Sequence, residues 1–304
     1  MISFLVKRFL WMIVTLWVVF TVSFFLMRAV PGGPFDSERN LPPEIEANMM
    51  RRYHLDDPLW KQYWRQLSNT VRGDLGDCFR RDLPVDRYIR EGLPVSAALG
   101  LLALVFSMVL GITAGIVSAV YRGSVSDLTL RSVATVGIAL PNFVIAGLAI
   151  IWFVFLFPVF PAAGWGSVRQ LILPAFCLGA PYAAYVARIM RTSMLDVLSQ
   201  DYIRTARAKG LTQRQVVLRH ALPGALLPIM SFLGPATAGI LTGSLVVERI
   251  FYIPGLGSHF VQAALDRDYT LAMGLVLLYT VLLYTMNVLV DISYALLDPR
   301  IELK

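Results

Sequence analysis

Residues 201–229 read DYIRTARAKGLTQRQVVLRHALPGALLPI, with five Lys/Arg and one His in a chain that is otherwise largely apolar. Asp201 through Lys209 has the make-up of a short polar helix, with Ser199 or Asp201 as its candidate cap. Gly210 then stands where a left-handed residue ends a helix, and Leu211 supplies the apolar contact of a Schellman ending. Thr212-Gln213-Arg214-Gln215 is an S/T-x-x-Q capping box, the start signal of a second helix. That helix carries Val216, Val217 and Leu218 into Leu222-Pro223, where an apolar run begins. The spacing predicts helix, tight glycine corner, helix, with no slack on either side.

What flanks this hairpin is membrane. Of the 304 residues, 57% are apolar and 15% charged, and the mean hydropathy is +0.64. A run of about 18 or more apolar residues reads as a membrane span. Phe9–Met27, Pro94–Tyr121, Leu171–Ala187, Ala221–Val247 and Tyr269–Val290 carry no charge, and Ser132–Gln170 carries only Arg169. These give six predicted helical spans, near 8–29, 94–121, 132–157, 171–191, 222–247 and 269–296. The first resembles a secretory signal in its Lys7-Arg8 flank, but its core is too long and no A-x-A site follows, so it is expected to stay as a helix. Cys78 falls in a polar loop and Cys177 in a span, so no disulfide between them is expected, and no CxxC marks a metal or redox site.

Charge placement predicts the orientation. Arg188 through Arg219 holds seven Lys/Arg against two Asp, so this loop is expected on the cytoplasmic side. Six spans then put both termini in the cytoplasm and 31–93 outside. The polar segment 31–93 is nearly balanced, with ten Lys/Arg and eleven Asp/Glu. Amphipathic helices are expected there, one with Leu59, Tyr63, Gln66 and Leu67 on a face and one over 84–94 with Val85, Tyr88 and Ile89. The organisation is therefore 1–30 (N-terminus and first span), 31–93 (an extracytoplasmic loop domain), and 94–304 (a five-helix core with the cytoplasmic loop 192–222).

The hairpin has three readings: a loop that only fixes topology, a docking element for a cytoplasmic partner, or a DNA-reading helix-turn-helix. A unit wedged between two spans cannot enter a major groove, which disfavours the last and any nucleic-acid partner. For docking, Tyr202, Ala206 and Lys209 share a face by spacing, and the small Ala206 would allow close approach of a partner. Within the membrane, Pro141-Asn142 is expected to kink the third span and to offer a polar group at the kink or pore. Gly234-Pro235 is the expected hinge near the start of the fifth. Gly111-x-x-x-Gly115 and Gly239-x-x-x-Gly243 allow close helix packing, within the chain or against a second subunit. Asp291 and Glu248 are expected at the membrane interface, leaving no mid-span carboxylate of the kind a proton-coupled carrier uses.

No GxxxxGK[ST] occurs, so the chain is not expected to cradle nucleotide phosphates. Gly255-Leu256-Gly257 lacks a third glycine, and H-E-x-x-H and G-x-S-x-G are absent. Neither a bound metal nor catalysis by this chain is expected. A secondary, proton-coupled transporter of small solutes is the alternative class, and an intramembrane enzyme a third.

The hairpin resembles the EAA loop of ATP-binding-cassette (ABC) importer permeases: EAA, three residues, Gly, nine residues, I-x-L-P. Ala206, Gly210, Leu222 and Pro223 match, while Arg204, Thr205 and His220 depart from the general pattern. YIRTARAKGL (202–211) and LRHAL (218–222) resemble the peptide-permease branch, whose loop is basic. The likeness extends to VKRFLWMIVTLWVVFTVSFFLMRAVPGGPF (6–35), YHLDDPLWKQYW (53–64), RGDLGDCFR (72–80), IPGLGSHFVQAALDRDY (253–269) and LVDISYALLDPRI (289–301). These resemble B-type permease subunits of oligopeptide and dipeptide importers, and PGGPFDSERNLPPEIEANMMRRYHL (31–55) leans towards the oligopeptide branch. The resemblance implies an all-α, six-span ABC type I importer permease fold in a bacterial inner membrane. It implies a homologous second permease, two ATPase subunits that hold ATP and Mg, an extracytoplasmic peptide-binding receptor, and peptide cargo. It further implies that the coupling contact to the ATPases is made by Asp201, Tyr202, Ile203, Arg204, Thr205 and Ala206, together with Arg207, Lys209, Gly210, Leu211, Leu222 and Pro223.

Overall fold

A computed structural model of the chain describes residues 2–31, 43–79 and 83–297. Parts of the stretches 6–35, 31–55, 72–80 and 289–301, and the C-terminus expected in the cytoplasm, lie outside the described residues. The described chain is helical, without a strand. In order come α1 (Ile2–Ala29), α2 (Pro43–Arg52), α3 (Leu59–Val71), α4 (Val85–Val120), α5 (Val125–Ala139) and α6 (Asn142–Ile150), which continues as a π-helical turn, Ile151–Leu156. Then follow α7 (Val168–Leu198), α8 (Asp201–Ala208), the short α9 (Gln213–Gln215), a second π-helical turn (Val216–Ala221), α10 (Leu222–Ala225), α11 (Leu227–Ile250), α12 (Leu256–Leu265) and α13 (Tyr269–Leu297).

Among the described residues, four stretches are long and apolar enough to cross a membrane unbroken: Ser3–Ala29, Val85–Val120, Val168–Leu198 and Tyr269–Leu289. Two bent pairs bring the number to six if each is one crossing, so two of the six predicted spans are broken. The predicted 132–157 span is α5 followed by α6 at 113°, turning at Leu140-Pro141. Pro141 lacks an N–H and holds Leu140 in an extended conformation (ψ 128°), so the helix stops and restarts. The fifth span bends by 54° between Ala225 and Leu227. The expected hinge, Gly234-Pro235, lies inside α11; the break falls at Leu226, where Pro228 occupies the first turn of the new helix.

The helices group into two compact units, one from Met1–Val95 and Pro254–Thr285, the other from Ser96–Ile253 and Met286–Leu303. In the first, Phe20 and Phe24 of α1 pack with Met273 and Leu277 of α13, and Tyr63 and Leu67 of α3 close over them. Gln66 of the predicted α3 face is half-buried, as Tyr63 and Leu67 are, Leu59 is exposed, and the buried polar residue of this helix is Gln62. Gln62 accepts from Arg28 Nε at 3.1 Å and donates to the Leu55 and Asp57 carbonyls at 2.9 and 2.8 Å. Asp57 pairs with Lys61 at 2.8 Å and Arg65 at 2.6 Å, and those hydrogen bonds hold its carboxyl below the usual carboxylate range. The 84–94 segment, expected as a separate surface helix, forms the first turns of α4. Its Val85 and Tyr88 are buried with Leu256, Leu271 and Leu275, and that burial carries the helix through Pro94.

In the second unit α4 and α7 approach closely through glycine. A Cβ at Gly111 would lie 2.6 Å from Val186 Cβ, and one at Gly115 2.5 Å from Met190 Cβ. One at Gly179 of α7 would lie 2.5 Å from the Ala103 carbonyl oxygen. The first glycine pair thus packs inside the chain rather than presenting a face to another subunit. Gly239 of α11 lies against the Tyr182 hydroxyl of α7, and Gly243 sits one turn further along α11.

Candidate functional site

The cationic hairpin folds as a helix–corner–helix elbow. α7 ends at Leu198, and α8 starts three residues later at Asp201. Neither Ser199 nor Asp201 caps α8: Gln200 holds the N-cap position without a side-chain capping bond, and the Ser199 hydroxyl donates back to the Asp196 carbonyl at 2.7 Å. The connection is too short to free Ser199 from the end of α7. Asp201 instead sits in the first turn, where the helix dipole favours an acid, and pairs with Arg204 at 3.3 Å.

At the corner Gly210 adopts φ +78°, and its N–H donates to the Arg207 carbonyl at 2.9 Å. Thr212 and Gln215 then form a reciprocal capping box, with Gln215 N–H on the Thr212 hydroxyl and Thr212 N–H on Gln215 Oε1 at 2.9 Å. The following turn is π-helical and the Leu222 N–H reaches Val217 O. Pro223 has no N–H, and its ring would press on the Arg219 carbonyl in a regular α-helix; the wider turn relieves that contact.

The elbow's inner face is apolar. Ile203, Ala206, Val216, Val217 and Ala221 are buried against Met190 and Met194 of α7 and Ala119 of α4. Full burial of an Ile such as Ile203 stabilises by roughly 1.5–3 kcal/mol. Leu211 and Leu222 pack at the margin of this cluster, and Pro223 is exposed. This corrects the expected docking face. Ala206 turns inward, away from any partner, while Tyr202, Arg204, Thr205, Arg207, Ala208 and Lys209 are exposed. Inward and outward faces share the same helical spacing, so periodicity alone does not distinguish them.

Sequence reading missed a polar latch that ties the unit together. Asp127 in the first turn of α5 is 2% exposed. Arg191 of α7 grips it with both arms of the guanidinium, Nε to Oδ1 at 2.9 Å and Nη2 to Oδ2 at 3.0 Å. Ser118 of α4 donates to Oδ1 at 2.6 Å and the Gly123 N–H to Oδ2 at 2.9 Å. Three helices are thus held at one carboxylate. Two signals were available: Ser124-x-x-Asp127 is a helix-start signature, and Asp127 is the only acid between Glu91 and Asp196.

Glu248, expected at an interface, is fully buried and accepts from the Ser96 hydroxyl at 2.7 Å. The turn after α11 folds back, with Ile253 N–H on the Glu248 carbonyl at 2.9 Å, and its Phe251 and Ile253 are buried. Asp291 is half-buried in α13. Asn142, half-buried at the start of α6, stands at the 113° bend. Among the described residues no group of His, Cys, Asp and Glu is placed to hold a metal ion.

A family model described as "Binding-protein-dependent transport system inner membrane component" matches residues 111–303, and one described as "Binding-prot-dependent transport system membrane comp, N-term" matches 1–99. The oligopeptide transport system permease protein OppB of Haemophilus influenzae is 45% identical over 305 residues, covering 99% of this chain and 100% of that protein. Escherichia coli OppB is 43% identical with the same coverage. The dipeptide transport system permease protein DppB of Bacillus subtilis is 42% identical over 304 residues, covering 100% of this chain and 99% of that protein. Among solved structures, an inward-facing MetNI methionine ABC transporter matches with a TM-score of 0.59 at 19% identity, over 69% of this chain and 96% of that one. This last likeness concerns the fold, that of an ABC type I importer permease. With both family models matched and full-length relatives well above 30% identity, the chain belongs to the family of inner membrane components of binding-protein-dependent transport systems.

Proposed function

We propose that this chain forms one half of the translocation pathway of an ATP-driven peptide importer and that the 201–223 elbow is where the motor grips it. The half-pathway is completed by a homologous permease, and two ATPase subunits hold ATP and Mg beneath the pair. An extracytoplasmic receptor delivers the cargo. Full-length identity to permeases named for oligopeptide and dipeptide transport supports peptide cargo, with the oligopeptide class favoured. The positive charge of 188–219 supports a cytoplasmic elbow, with 31–93 outside.

The observation that carries the reading is the construction of the elbow: cationic outside, apolar inside, with a glycine corner and a capping box joining its two helices. A push on α8 cannot be absorbed locally, because Ile203 and Ala206 are seated against α7 and α4. It must reach α7 directly and α11 through the π-turn and α10. Closure of the ATPase pair around ATP then tilts these spans so that the cavity opens outward to the loaded receptor, and ATP hydrolysis releases it inward.

The exposed cations give the test. Arg207 and Lys209 lie on the outer face, so Arg207→Glu with Lys209→Glu should change fold stability by no more than about 0.5 kcal/mol. Peptide uptake should nonetheless fall several-fold, while ATP hydrolysis by the complex loses its dependence on receptor and cargo. Wild-type uptake in the charge-reversed variant would count against the docking role.

A further inference from the structure

The second unit contains a groove outside the 201–223 elbow. One cavity of about 280 Å³ opens beside the latch, between Ser118 of α4, Arg131 and Thr135 of α5, and Arg188, Arg191 and Thr192 of α7. A second, of about 320 Å³, shares Ala114, Leu130, Ala134 and Ala187 with the first and runs on along Val133, Leu140 and Phe176. The two are one groove with a cationic mouth and an apolar trough.

The charge at the mouth is uncompensated. Arg191 is committed to Asp127. Among the described residues, Arg131 and Arg188 have neither an ion-pair nor a side-chain hydrogen-bond partner. Both are exposed, Arg131 at the edge of the predicted 132–157 span and Arg188 at the start of the cationic 188–219 segment. Basic residues at such cytoplasmic span ends attract anionic lipid headgroups. The Thr135 and Thr192 hydroxyls already donate to the Arg131 and Arg188 carbonyls at 2.9 and 3.1 Å, so the free donors of the mouth are the guanidiniums. They call for an anion, and a phosphate matches the guanidinium fork.

The trough identifies what the anion is attached to. Every side chain lining it is apolar. A peptide lying there would bury an N–H and a C=O at each residue without partners. An acyl chain has no such groups. We propose that this groove binds an anionic phospholipid of the phosphatidylglycerol type, with its phosphate between Arg131 and Arg188 and one acyl chain along α5, α6 and α7. Ser118 and Arg191 line the same mouth, so the lipid abuts the latch and braces the α5–α7 seam. The inference holds whether or not the cargo is a peptide.

The test uses the full-length chain purified in mild detergent with the subunits that accompany it. Phosphatidylglycerol or phosphatidylcholine with identical acyl chains is added, and lipid retention is read by native mass spectrometry. Phosphatidylglycerol should be retained and phosphatidylcholine lost. Arg131→Gln with Arg188→Gln should lower phosphatidylglycerol occupancy about 25-fold, at about fivefold per arginine. Ala134→Phe, which blocks the wall common to the two cavities and keeps both charges, is the second variant and should also lower occupancy. Equal retention of the two lipids, or phosphatidylglycerol occupancy unchanged in either variant, overturns the proposal. Displacement of phosphatidylglycerol by a peptide with a free carboxylate would also overturn it and assign the groove to cargo.

Discussion

Gly210→Pro is expected to abolish ATP-coupled peptide uptake while the chain still inserts in the membrane in near-normal amount. Gly210 holds φ +78° and is exposed, and an added Cβ would meet nothing within 4 Å. Substitution therefore acts through backbone conformation, not through crowding. An L-residue with a Cβ pays roughly 1–2 kcal/mol in this region. Asn tolerates it best, Ala less well, and a β-branched Val worse. Proline is fixed near φ −65° and lacks the N–H that donates to Arg207 O at 2.9 Å, so the corner cannot form at all. Uptake should fall in the order Gly, Asn, Ala, Val, Pro, with receptor-stimulated ATP hydrolysis falling in step. Pro at 210 supporting wild-type uptake would contradict the rigid-elbow account.

Asp127→Ala is expected to cause the largest loss of folded protein of any single substitution considered. It strands the Arg191 guanidinium, which is mostly buried, and removes the acceptor for the Ser118 hydroxyl and the Gly123 N–H. Removing one partner of such a pair is worse than removing both. Asp127→Leu with Arg191→Leu should therefore retain more detergent-stable chain than Asp127→Ala alone. Arg191→Lys should rescue poorly, since an ammonium cannot make the two-armed contact. Reversing the pair, Asp127→Arg with Arg191→Asp, should fail, because Ser118 and Gly123 both donate towards position 127. The readout is the amount of monodisperse chain after solubilisation, expected to drop several-fold. If Asp127→Ala matches the wild type, the latch is not structural.

The parts of the molecule that could be read from sequence are those whose cause is local. The uncharged run Phe9–Met27 lies within α1, and Gly210 followed by Thr212-x-x-Gln215 marks the corner and the second helix start. Pro141 marked where the third span breaks but not the 113° angle, which depends on what α6 packs against. Gly234-Pro235 carries stronger local breaking signals than Leu226, yet the bend falls before Pro228. The face of α8 was readable as a stripe but not in its direction, because Tyr202, Ile203 and Ala206 sort into outside and inside only once α7 and α4 are in place. Asp127 and Arg191 are 64 residues apart, and nothing local pairs them.

The central claim is that the elbow is a handle held by a motor subunit on the cytoplasmic side. Cys78 and Cys177 are both buried, so a cysteine introduced by Lys209→Cys at an exposed position is the reactive thiol of choice. The decisive measurement is short-range thiol cross-linking from position 209 in membranes of cells expressing the assembled transporter, with and without ATP. The account predicts a cross-link to the ATP-binding subunit, and protection of the thiol from membrane-impermeant maleimide added outside intact cells. Labelling from outside, or a position 209 that cross-links to no ATPase in either nucleotide state, would contradict it.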